Sequence, residues 1–148
     1  MKKRVAVVFG TRPEAIKMAP VVAALRASST LEPFVVSTGQ HREMLKQVVD
    51  LFDISIDREL DVMRPNQSLA GLTARLIEAI DDVLTVEKPA LVLAQGDTTT
   101  VLTAALASFY RDLPFGHVEA GLRTGNLRAP FPEEANRVLA GKLTTLHF

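Results

Sequence analysis

The sequence contains no cysteine, no tryptophan and one tyrosine. Without cysteine there is no disulfide, no thiol nucleophile and no thiolate metal ligand. That composition fits a reducing compartment, and a cytoplasmic location is expected. No stretch of 18 apolar residues occurs, so no membrane span is expected. Neither sign of charge dominates: Lys+Arg and Asp+Glu number 17 each, which excludes a broad basic field for nucleic acid. The opening "MKKRVAVVFG" is like a secretory leader only in outline. Its apolar run breaks at "GTRPE" and no small-residue cleavage pattern follows. Two glycine signatures are also missing. Only Gly10 follows the first apolar run, where G-x-G-x-x-G needs three glycines, and G-x-x-x-x-G-K-[ST] occurs nowhere. A nicotinamide enzyme and a P-loop NTPase therefore lose ground.

What is present is an alternation of strand-like and helix-like segments within 148 residues, enough for one domain with a substantial core. "RVAVVF" (4–9), "PFVVST" (33–38), "ALVLAQ" (90–95) and "FGHVE" (115–119) read as buried strands, with "TLHF" opening another. Helices are predicted over 13–28, where Pro20 is a candidate kink, and over 42–52, 68–87, 98–110 and 132–143. In the second of these Met44, Leu45, Val48, Val49 and Phe52 share one face. Residues 53–66 read as irregular. The implied class is α/β: a Rossmann-like parallel sheet, β1 near its centre, with helices on both faces. The sequence stops on an apparent strand, so a first domain of a larger protein is expected.

Ligands of such sheets bind at the carboxyl ends of strands. After the first strand, "GTRPEAIK" gives Gly10 for a tight turn and Thr11/Glu14 at capping-box spacing around Pro13. A free helix N-terminus with Arg12 beside it, and Lys17 one turn on, suits an anion. After the second strand come Gln40 and His41. "GDTTT" places Asp97 and three hydroxyls at a helix start, more than one cap requires. Glu119 has no helix to cap, because none follows until Pro132. Burial there raises a carboxyl pKa and a nearby arginine lowers it. Glu133 and Glu134 both sit in a first helical turn, and Glu133 stands four residues before Arg137. Spacing does not choose between the two glutamates. Several carboxylates beside an anion site suit proton transfer with a charged leaving group.

"FGTRPEAIKMAP" (9–20), "TGQHREML" (38–45), "GDTTT" (96–100), "GHVEAGLRTGN" (116–126) and "PFPEEANR" (130–137) resemble, in this order and spacing, the non-hydrolysing UDP-N-acetylglucosamine 2-epimerases. The resemblance implies the first half of a glycosyltransferase-B-like two-domain fold, with residues 1–148 as the N-terminal domain. It implies interconversion of UDP-GlcNAc and UDP-ManNAc through 2-acetamidoglucal, with UDP leaving and returning, and with no cofactor and no metal. Asp97, Glu119 and Glu133 match the family's essential acids. Arg12 and Lys17 match its substrate-binding basic residues. Gln40, His41, Gln67 and Glu133 match an allosteric UDP-GlcNAc site. A homodimer is expected, with no nucleic-acid or membrane partner. The alternatives are a hydrolysing epimerase, a glycosyltransferase of the same fold, or an isolated binding or dimerisation module. A phosphoacceptor receiver is disfavoured, because the first strand end is basic at Arg12.

Overall fold

Uninterrupted valine-rich runs suit strands covered on both faces, and the computed structural model, which describes residues 1–39 and 42–148, builds its sheet from them. The strands are β1 (Lys3–Phe9), β2 (Leu31–Ser37), β3 (Arg58–Glu59), β4 (Leu91–Gln95), β5 (Phe115–Val118) and β6 (Leu146–His147). The helices are α1 (Arg12–Ala27), α2 (Arg42–Leu51), α3 (Leu69–Glu87), α4 (Thr99–Tyr110) and α5 (Glu133–Leu143). The sheet order is β3-β2-β1-β4-β5-β6, with every pairing parallel. Val7 lies against Val35 on one side and Leu93 on the other, which places β1 in the interior of the sheet.

The strand pleat divides β1 between two cores. Ala6 and Val8 pack with Leu72, Leu76, Ile80 and Leu84 of α3 and with Val101 and Ala104 of α4. Val5, Val7 and Phe9 pack on the other face with Met18 and Val22 of α1 and with Leu45 and Val48 of α2. Each helix stripe recurs every three or four residues, as an amphipathic helix on a sheet requires. Pro20 lies within α1, exposed, and the helix continues to Ala27.

Two expectations need correction. Residues 53–66 are not wholly irregular, because Arg58 and Glu59 add a sixth strand beside β2. Two residues are too short to show a period. The predicted face of α2 is also too wide: Leu45 and Val48 are buried, but Met44 and Phe52 are exposed. Ten residues rest only one narrow stripe on α1, and the flanking positions meet solvent.

The chain order reverses between β1 and β4, so the loops after these strands leave towards opposite faces. That divergence opens a crevice at their carboxyl ends. Among the described residues no helix is long and apolar enough to cross a membrane.

Candidate functional site

A cavity of about 360 Å³ occupies this crevice, lined among others by Lys17, Gln95, Asp97, Thr98, Glu119 and Arg137. Glu119 follows the last residue of β5 and takes φ 62°, a left-handed conformation uncommon for a non-glycine residue. Lys17 Nζ donates to its Oε1 at 2.9 Å, and Gln95 Nε2 donates to its Oε2 at 2.5 Å. The hydrogen bond from Lys17 is the main cause that holds the Glu119 carboxyl below its ordinary value. Desolvation opposes it, while the charges of Lys17 and Arg137 and the Gln95 bond add to it. Arg137 Nη2 donates to Asp97 Oδ2 at 2.8 Å and lies 3.7 Å from Glu119 Oε2, while Nη1 donates to the Glu119 carbonyl. Both carboxylates thus share one guanidinium. The next residue back on α5, Asn136, donates to the Asp97 carbonyl at 2.9 Å.

A second carboxylate arrangement, around Thr11 and Glu14, lines the same cavity. Thr11 and Glu14 form the expected capping box of α1. Glu14 is buried, and it accepts from the Gly10 and Thr11 amides, the Thr11 hydroxyl and, at 2.6 Å, the Thr98 hydroxyl. It therefore ties the loop after β1 to the loop after β4. Gly10 is absent from the glycines with positive φ; its amide serves this network instead. Of the three hydroxyls after Asp97, Thr98 alone lines the cavity. Thr98 caps α4, while Thr99 and Thr100 are buried and Thr100 pairs with Thr38 at 3.1 Å. The hydroxyls beyond the cap thus serve the protein interior. His117 on β5 is buried, with Nε2 donating to the Gly96 carbonyl at 2.6 Å and Nδ1 without a partner. Burial pushes its pKa below the ordinary value.

The remaining candidates are distributed as follows. Arg12 is exposed and borders a neighbouring cavity with Thr11, Pro13 and Met44, outside the lining of the Asp97–Glu119 cavity. Gln67 Oε1 accepts from Arg75 and from the Arg64 amide, bracing its own turn. Gln40 and His41 lie outside the described residues. Glu133 opens α5 with Oε2 buried and unpartnered, and it is not among the lining residues. Glu134 is buried and accepts from the Gly125 amide at 3.2 Å, so the structure distinguishes two glutamates that spacing does not. Arg137 does not serve Glu133 at helical spacing but turns to Asp97 and Glu119. Arg123 donates to the Ala120 and Leu122 carbonyls, which orders the loop. Sequence reasoning missed Gln95 and Arg137 in the cavity lining, and His117, which holds the Gly96 carbonyl behind it. Gln95 ends β4 and His117 is the last residue but one of β5, and a polar residue in an apolar strand was the available signal. Among the described residues no group of three or more His, Asp or Glu side chains is arranged to hold a metal.

The family model described as UDP-N-acetylglucosamine 2-epimerase matches residues 23–148. The chain belongs to the UDP-N-acetylglucosamine 2-epimerase family. The UDP-N-acetylglucosamine 2-epimerase of Yersinia pestis is 57% identical over 145 residues, 98% of this chain and 39% of that protein. The chain therefore spans about two fifths of the length of the curated relatives it matches. Among solved structures, the Neisseria meningitidis UDP-GlcNAc 2-epimerase bound to UDP-GlcNAc superposes with a TM-score of 0.95 at 54% identity. That match covers 98% of this chain and 39% of that one. The Methanocaldococcus jannaschii epimerase, in complex with UDP-GlcNAc and UDP, gives a TM-score of 0.89 at 32% identity, over 96% of this chain and 39% of that one.

Proposed function

We propose that residues 1–148 are the first domain of a non-hydrolysing UDP-GlcNAc 2-epimerase of glycosyltransferase-B-like architecture, with the nucleotide sugar bound between this domain and a second one. The observation that carries this reading is the cavity in which Asp97 and Glu119 share Arg137 and Lys17 stands beside Glu119. A carbon acid needs a positioned base, and a departing diphosphate needs positive charge. In the reaction a base removes the C2 proton, the C1–O bond breaks and its electron pair leaves with UDP. The product is 2-acetamidoglucal. A proton then reaches C2 on the opposite face and a UDP oxygen bonds to C1, giving UDP-ManNAc. Asp97, Glu119 and Glu133 share proton transfer and sugar positioning, and the partnerless oxygen of Glu133 supports its inclusion. Arg12 and Lys17 serve the nucleotide side. A second, activating UDP-GlcNAc is assigned to Gln40, His41, Gln67 and Glu133. The whole enzyme is a cytoplasmic homodimer.

The test supplies the complete enzyme with UDP-GlcNAc in deuterated water, without an acceptor. UDP-ManNAc carrying deuterium at C2 is the expected product. Free N-acetylmannosamine with UDP would instead establish the hydrolysing reaction, and no change without an acceptor would favour a glycosyltransferase.

A further inference from the structure

We infer that Arg137 is the positioning residue of this site, a buried fork that fixes Asp97 and the Glu119 backbone as one unit. The inference rests on the proposed epimerase reading for its kinetic consequence, but its structural consequence is independent. The Arg137 side chain is 4% exposed, whereas those of Asp97 and Glu119 are 35% and 34% exposed. The guanidinium therefore forms the floor of the cavity and the carboxylates form its wall. Its two terminal nitrogens are used differently: one holds the Asp97 carboxylate and the other holds the Glu119 carbonyl. A planar, permanently charged fork can hold two such groups at a fixed spacing, and an ammonium point charge cannot.

Two further observations point the same way. Glu119 adopts its left-handed φ where its carbonyl meets Arg137, and such a conformation persists only where the surroundings over-determine it. Asn136, the neighbour of Arg137, holds the Asp97 carbonyl, so the start of α5 clamps Asp97 through both backbone and side chain. Helix α5 thereby locks the loop after β4 to the end of β5, three elements far apart in sequence. Two carboxylates in one crevice would otherwise repel each other. The groups facing Glu119 are Lys17 from α1, Gln95 from β4 and Arg137 from α5, with Asp97 across the same guanidinium.

The experiment compares Arg137→Lys and Arg137→Met with the parent, using two readouts. In the 148-residue chain, carbon NMR follows the Glu119 carboxyl through pH. Arg137→Met is expected to move that titration upward, by less than Lys17→Met does, because Lys17 is the larger cause. In the complete enzyme, both Arg137 variants are expected to lower kcat by about 10²-fold, since a displacement of ~1 Å has that effect, with KM changed far less. The acid limb of the kcat/KM profile should shift upward in Arg137→Met and stay in place in Arg137→Lys. If Arg137→Met does not fold, Arg137→Lys decides, because it keeps the charge and loses the fork. A folded Arg137→Lys enzyme with parental kcat would overturn the inference. So would a Glu119 titration unmoved in a folded Arg137→Met chain. If the parent enzyme itself fails to exchange the C2 proton, the epimerase reading fails, and the Glu119 titration still decides the role of Arg137.

Discussion

Replacing Glu119 by glutamine keeps the shape of the side chain and removes the charge that Lys17 and Arg137 address. In the complete enzyme Glu119→Gln, Asp97→Asn and Glu133→Gln are each expected to lower turnover by ~10²–10⁴-fold, the usual effect of losing a positioned acid or base. Circular dichroism and melting should show the fold intact. Near-parental turnover of Glu119→Gln would be the most damaging result, because its carboxylate caps no helix. His117 carries a second prediction. Its ring is buried and neutral, and its folded pKa lies below the ordinary 6.5. Unfolding frees the ring to take up a proton, so stability is fully present above about pH 6.5 and is lost as pH falls towards the lower folded value. Denaturant titrations of the parent should show this loss as pH falls below about 6.5. His117→Phe should flatten that slope. An unchanged slope would assign the loss to other groups.

At the scale of elements, the site depends on turns that hold strand ends against helix starts. Gly96 joins β4 to the cap of α4 at φ 90°, where a side chain has room but the backbone is strained. Gly96→Ala should therefore destabilise the domain by ~1–2 kcal/mol, measurable by urea denaturation. Leu76→Ala, which empties a fully buried position on α3, should remove ~2–5 kcal/mol. A Gly96→Ala chain as stable as the parent would mean that the turn relaxes. The strands and long helices were legible beforehand because apolar runs and 3.6-residue stripes are local signals. β3 was not, since a two-residue strand has no period and forms only because β2 offers an edge. The capping box at Thr11 and Glu14 was legible as spacing, but the Thr98 hydroxyl that joins it lies 84 residues away. Arg137 failed for the same reason: helical spacing offers it Glu133, and the fold gives it Asp97, 40 residues earlier. Candidate acids announce themselves by type, whereas the residues that aim them do so only through tertiary contacts.

At the scale of the whole molecule, the 148 residues alone should fold but not epimerise. Their sheet is covered on both faces by separate apolar clusters, so a two-sided core exists without any further chain. Catalysis asks for more. Asp97 and Glu119 are each about one third exposed, and Lys17 is half exposed, so water reaches the cavity. Electrostatic stabilisation of a departing diphosphate is strong only where water is excluded, and closure of a second domain would supply that. Leu122, Leu127 and Phe131 stand exposed on the loop beside this crevice, which predicts self-association of the 148-residue chain, detectable by sedimentation as it is concentrated. The decisive measurement is C2 proton exchange of UDP-GlcNAc in deuterated water with this chain alone. Weak binding through Lys17 is compatible with the two-domain reading. Exchange at a rate typical of intact enzymes, ~1–10³ per second, is not, and would mean that Asp97, Glu119 and Glu133 suffice in an open cavity.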